Sequence, residues 1–189
     1  ATQLWRLLGS VVTVDGAYSQ GVALLGAVND PSGASDDTPK AQFHKIDGSV
    51  SYFKPLESVN VRSTLVGQYS FDTLYSSEQI IMGDSGTVRG FSGSQVSGDS
   101  GIYSRNEIGF TQPGFIPAGD YSVQPYVFLD GGYAALKAGG GSGYLAGTGA
   151  GFRFSWKRIS MDIAAAIPVV SDVKEDGFEL YANVNVALF

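Results

Sequence analysis

The chain has 189 residues, no cysteine, 26 glycines, 12% aromatic and 16% charged residues, and a formal net charge of −6. Without cysteine there is no disulfide and no thiolate metal site, and the acidic balance argues against nucleic acid, which requires a basic footprint. No apolar run approaches the length of a membrane helix, so composition leaves two readings level: an outer-membrane β-barrel or a soluble all-β domain.

Residues 3–14 read as a strand closed by a short turn at Asp15-Gly16, and residues 21–29 as a second strand with Val22, Leu24 and Val28 on one face. Residues 30–40, rich in Asp, Pro and small side chains, read as a long polar loop. Residues 43–53 alternate, with Lys45, Asp47, Ser49 and Ser51 opposite Ile46, Val50 and Tyr52. A tight turn at Lys54-Pro55-Leu56-Glu57 leads into residues 59–70, where Asn60, Arg62, Thr64 and Gln68 oppose Val59, Val61 and Leu65. A long loop follows, residues 71–100. The strand at 101–112 sets Tyr103, Arg105 and Glu107 against Ile102, Ile108 and Phe110. After a turn around Pro117-Ala118-Gly119-Asp120, residues 123–133 set Gln124, Tyr126, Phe128 and Asp130 against Val123, Pro125, Val127 and Leu129. Residues 134–143 are a glycine-rich loop. Strands at 144–156 and 159–169 flank the very short turn Lys157-Arg158, and the second carries an apolar stripe of Ile159, Met161, Ile163, Ala165 and Ile167. An acidic loop, 171–177, precedes a last strand at 178–189.

That makes about nine strands of roughly 9–12 residues, the length of a tilted membrane strand; soluble strands run to about 5–6. Connections are short at one end and long at the other, which an outer-membrane barrel requires and a sandwich does not. This sorting decides for the barrel. Nine is odd, however, so the first and last strands run parallel and cannot close an antiparallel barrel with each other. Either the chain is the C-terminal part of a longer one, a reading the Ala1 start and missing signal peptide support, or one edge segment is not a strand and eight close alone.

Inside the long loop, Val88-Arg89-Gly90-Phe91 sets a cation between apolar neighbours beside a glycine that allows a tight bend. A simple connection needs no such cation. The loop reads as packing inside a cavity with an acidic partner there. Two Gly-Asp-Ser-Gly runs, 83–86 and 98–101, match the surroundings of a protease serine, but His44 is the only histidine and lacks the flanks of a catalytic one. Loop composition explains the runs better. Residues 138–143 lack the Gly-Lys-Ser/Thr of a phosphate loop, and no carboxylate or histidine cluster has metal spacing.

These residues resemble a known family. Ser77-Glu78-Gln79, Gly83 through Phe91, and Ser97-Gly98-Asp99-Ser100-Gly101 continuing to Arg105-Asn106-Glu107 are similar to the lid-loop region of the two-partner secretion transporters (TpsB family, Omp85 superfamily). Phe128-Leu129-Asp130-Gly131-Gly132 resembles that superfamily's barrel-wall motif. The resemblance implies an all-β antiparallel transmembrane barrel, with this chain supplying about the last nine of about sixteen strands, enough for an aqueous channel. It implies that Arg89 reaches Asp130, flanked by Phe128 and Gly132, to lock the lid inside the pore. The N-terminal plug helix, POTRA domains and first strands would lie outside residues 1–189. Implied partners are an unfolded TpsA-like exoprotein, outer-membrane lipids and the barrel-assembly machinery; no catalysis, cofactor or metal is implied. Arg62, Arg105 and Glu107 face the expected lumen, either as a hydrated wall for a sliding chain or as ordinary porin polarity. Phe189 resembles the terminal aromatic assembly signal. Its face carries Ala187, Asn185, Asn183 and Tyr181, while Leu188, Val186, Val184, Ala182 and Leu180 sit opposite, so either an interfacial girdle holds Phe189 or a bulge shifts the register. Alternatives are an insertase for barrel proteins with the same lid and a passive porin with a constricting loop.

Overall fold

Alternating apolar and polar residues commit each segment to a strand with two unlike faces, and pairing such strands in register collects the apolar sides into one surface. The computed structural model describes residues 1–24, 26–33, 35–91, 93, 95–111, 121–173 and 177–187. Nine strands form one antiparallel sheet: β1 (Thr2–Leu7), β2 (Ser10–Gln20), β3 (His44–Pro55), β4 (Val59–Ser70), β7 (Ser100–Phe110), β8 (Tyr121–Ala135), β9 (Ser142–Trp156), β10 (Ile159–Ser171) and β11 (Glu179–Val186), each beside its neighbour in this order. Two three-residue strands, β5 (Ile80–Met82) and β6 (Val96–Gly98), make a separate hairpin within the long loop, preceded by a 3-10 turn at Ser76–Glu78. Among the described residues no α-helix occurs, and β1 and β11 are the two edges of the sheet with no ladder between them. The option of eight strands closing alone is not what forms.

The two faces divide as their alternation predicts. Ile46, Val50, Leu65, Ile102, Ile108, Val127, Leu129, Phe152, Ile167 and Val184 all lie on the outer face and are exposed. So large an apolar surface facing outward marks a lipid-facing wall rather than a solvated one. In the stripe of β10, Ala165 and Ile167 are exposed while the intervening Ala164 and Ala166 are buried on the inner face.

The first two strands differ from expectation. The turn lies at Leu8-Gly9, not at Asp15-Gly16; both turn residues have positive φ (49° and 78°), the two-residue hairpin geometry whose twist suits its strands. Leucine is a poor residue for that conformation, so the sequence carries no mark of it. Asp15 pairs with Thr2 inside the ladder. Residues 21–29 contain no strand among those described. Val22, Leu24 and Val28 stay exposed, and the Asp30 carboxylate accepts hydrogen bonds from the amides of Ala41 (2.6 Å) and Gln42 (3.0 Å), doubling the segment back as a loop. The turns after β1, β3 and β9 still fall at one end, and the long connections at the other. The expected turn at 117–120 and Phe189 lie outside the described residues.

At the long-loop end, Asp72 accepts from Lys40 Nζ at 3.0 Å and from the His44 amide at 2.9 Å. Burial works to raise its pKa, but hydrogen bonds from Lys40 and His44 outweigh this and hold the carboxyl below its usual range. A lowered folded pKa contributes stability that is complete above the unfolded carboxylate pKa and lost as pH falls through the folded value. Limited proteolysis should therefore find residues 35–43 protected at neutral pH and released in strong acid, with Asp72→Asn releasing them at neutral pH. On the outer face, Leu65→Arg at mid-strand should destabilise the protein in phospholipid vesicles by about 2–4 kcal/mol, whereas Thr64→Arg on the inner face should not, as read by denaturant titration.

Candidate functional site

The loop between β4 and β7 folds onto the inner face of β7, β8 and β9, and the principal apolar core lies there. Ile80, Met82, Val88, Phe91 and Val96 of the loop pack with Ala134 and Leu145 of the wall, and Met82, Val88 and Phe91 are fully buried. The wall makes room by omitting side chains. A Cβ at Gly132 would overlap Met82 Sδ, and one at Gly147 would overlap the carbonyl oxygen of Arg89. The loop backbone can approach the sheet this closely only because those positions are bare.

Arg89, 3% exposed, is buried beside this contact. Its Nε donates to Asp130 Oδ2 at 2.6 Å and its Nη2 to Asp130 Oδ1 at 3.0 Å, a planar two-point pair. Its Nη1 donates to Glu107 Oε1 at 2.7 Å, and the guanidinium carbon stacks 3.6 Å from the centre of the Phe128 ring. Asp130 and Glu107 are themselves 1% and 8% exposed. Glu107 Oε2 accepts from Arg153 Nη2 at 2.7 Å, Arg153 Nε donates to Asp162 Oδ2 at 3.1 Å, and Tyr126 Oη donates to Asp162 Oδ1 at 2.6 Å beneath the Arg153 guanidinium. A chain of alternating charges thus runs from the loop across four adjacent wall strands.

Next to Arg89 the backbone turns at Gly90 with φ of 105°, a conformation that favours glycine. The Gly90 amide donates to Tyr181 Oη of β11 at 3.0 Å. A Cβ there would crowd the Ile167 carbonyl and Pro168 of β10, where the β9–β10 register shifts between Pro168 and Val170. The side chain of Arg89 is therefore received by β7 and β8, and the backbone of the tip by β9, β10 and β11.

Of the residues singled out from sequence, Val88, Arg89, Gly90, Phe91, Phe128, Asp130, Gly132 and Glu107 meet at this one place. Arg105 joins at its rim, its Nη1 donating to the Gly86 carbonyl at 2.8 Å. Arg62 lies over Phe53 and lines a cavity of about 810 Å³ on the inner face, shared with Glu107, Arg153, Asp162 and Asn183. Asn106 sits on the outer face, donating to Ser104 Oγ (3.2 Å) and the Leu129 carbonyl (3.1 Å) and accepting from Ser63 (2.7 Å). Arg153, Asp162 and Tyr181 were missed; their polar alternation was visible, but nothing local linked them to Arg89. The Gly-Asp-Ser-Gly runs are structural. Asp84 Oδ1 accepts from the amides of Gly86 and Thr87 to shape a turn (2.7 and 2.8 Å). Buried Asp99 accepts from the amides of Leu74 and Lys137 (2.9 and 2.8 Å), tying two loops together.

The profile of the family described as haemolysin secretion/activation protein ShlB/FhaC/HecB matches residues 1–154. The outer membrane transporter CdiB of Dickeya dadantii (strain 3937) is 41% identical over 104 residues, covering 54% of this chain and 18% of that protein. The outer membrane transporter CdiB of Escherichia coli is 30% identical over 187 residues, covering 96% of this chain and 31% of that protein. The solved structure of CdiB from Escherichia coli superposes with a TM-score of 0.87 at 29% identity, over 98% of this chain and 35% of that one. The chain thus spans about a third or less of the length of these relatives.

Removing one partner of a buried ion pair costs about 3–5 kcal/mol because the other charge is left unmet. Asp130→Ala leaves Arg89 only Glu107, already shared with Arg153, whereas Glu107→Ala leaves each arginine a carboxylate. Hydrogen exchange of residues 80–98 should accelerate strongly in Asp130→Ala and less in Glu107→Ala, with the main sheet unaffected.

Proposed function

The chain belongs to the haemolysin secretion/activation family ShlB/FhaC/HecB, and on that premise we propose that it forms the C-terminal part of an integral outer-membrane barrel that carries an unfolded partner exoprotein to the cell surface. The remaining strands of that barrel, with a plug and POTRA domains, belong to the rest of the protein. They supply partners for the exposed hydrogen-bonding edges of β1 and β11, which lipid does not tolerate unpaired. Lipids contact the outer apolar face, and the barrel-assembly machinery inserts the strands, with Phe189 as the terminal signal. The role is transport, driven by folding outside and without a reaction step.

The observation that carries this reading is the burial of Arg89 against Asp130 and Glu107 on the inner face. A loop that only joined two strands would run over the surface. This one fills the space in front of the wall, anchored by a paired charge and an apolar tip. Lodged there it is a lid: the closed pore holds Val88 to Phe91, and translocation requires their displacement. Breaking the clamp is large enough to move a two-state lid from mostly in to mostly out. Arg62, Arg105 and the cavity beside them provide the hydrated path. A passive porin has no need for so complete a burial of the loop's only tip cation.

Single-channel recordings in planar bilayers test this, with secretion of the partner scored in parallel. Arg89→Ala and Asp130→Ala should each raise or destabilise resting conductance and lower secretion. Unchanged conductance and secretion in both would reduce the pair to scaffolding. Normal secretion with failed assembly of other barrel proteins would replace transport by an insertase role.

A further inference from the structure

The seat of Arg89 belongs to the wall, not to the lid. Asp130 and Phe128 are carried by β8 and Glu107 by β7, so the seat persists when the lid leaves. Within ion-pair distance around it, three carboxylates (Asp130, Glu107, Asp162) meet two guanidiniums (Arg89, Arg153), while Arg62 and Arg105 line the adjoining cavity without an ion pair to the seat among those described. Withdrawal of Arg89 leaves Asp130 with no ion-paired cation and, among the described residues, only the Asn106 amide as a donor, and leaves Glu107 with Arg153 alone. A wall carboxylate held in place and stripped of its partner attracts a replacement cation.

The geometry selects the kind of cation. Two oxygens of Asp130 lie in the plane of an Nε/Nη2 fork, a third oxygen from Glu107 meets Nη1, and a ring covers the flat face at 3.6 Å. An ammonium group has neither the fork nor the plane to use them. Arg153 adds to the selection, because its bond to Glu107 Oε2 turns the other oxygen, Oε1, toward the seat.

We propose that the seat vacated by Arg89 is a guanidinium-binding site that takes arginine side chains of the polypeptide in transit. This rests on the lid reading above. The lid arginine is then an internal competitor: it closes the pore when no chain is present, and an arginine in the moving chain holds the seat and keeps the lid out. Passage becomes sensitive to where the cargo carries arginine rather than lysine.

The test uses the complete transporter with Arg89→Ala, in which the seat is vacant, recorded in planar bilayers with a short glycine–serine peptide carrying a single arginine. The same peptide with lysine in its place is the comparison. The arginine peptide should block the current with dwell times longer by about tenfold, the gain expected of a two-point charge-assisted pair, and Asp130→Asn added to Arg89→Ala should abolish the difference. Glu107→Gln serves in its place if the double variant does not show the gel mobility of a folded barrel. Equal dwell times for the two peptides, or a difference that survives loss of the carboxylate, would overturn the proposal. The lid reading fails on a separate sign, resting conductance identical in Arg89→Ala and the parent protein.

Discussion

A guanidinium cannot be moved out of water unless fixed carboxylates receive it, and that constraint organises the inner half of this structure. Arg89 satisfies it with Asp130 and Glu107 on neighbouring strands. Glu107 in turn requires Arg153, and Arg153 requires Asp162. The polar alternation of β7 through β10 is thus more than a coating for a wet interior. It is a single connected arrangement in which each charge meets an opposite one. The loop participates by contributing the member between Asp130 and Glu107, so its position and the charges of the wall depend on each other.

Steric emptiness is the second requirement. Charge attraction alone would leave the loop hovering over side chains. Gly132 and Gly147 let the loop's sulfur and carbonyl reach the sheet backbone, and only at that range do the two oxygens of Asp130 align with the guanidinium edge. Ala134 continues the clearance under the loop, and Ala164 and Ala166 give room to Tyr126 and Phe128. The apolar packing of Val88 and Phe91 then excludes water from the pair, which strengthens it. The outer face obeys the opposite rule: large aliphatic and aromatic side chains project from nearly every strand because the surrounding medium takes the place of a core.

This division explains why the molecule is apolar outside and polar within, while its best-packed cluster lies between a loop and a wall. A soluble sandwich would bury the aliphatic stripes of β4, β8 and β10 against a second sheet. Here they are bare, and burial is concentrated where the loop meets the inner face.

Strand type, face assignment and the sorting of loop lengths were legible in the sequence, because period-two alternation and turn composition are local properties. β3, β4, β7, β8, β9 and β10 followed from them, with the correct inward residues on β3, β4, β7 and β8 and the correct outward stripe on β10. So did the need of Arg89 for a carboxylate, since a cation between Val88 and Phe91 is inconsistent with a solvated loop. The β1–β2 turn was not legible, because Leu8 adopts a left-handed conformation that its type does not advertise. Nor was the loop nature of residues 21–29, where the Asp30 carboxylate binds backbone amides eleven and twelve residues away. The joining of Glu107, Arg153, Asp162 and Tyr181 to Arg89 was decided only by tertiary structure. Alternation tells which way a side chain points, but strand register and the path of the loop determine which inward residues stand side by side, and those are set by pairings between residues far apart in the chain.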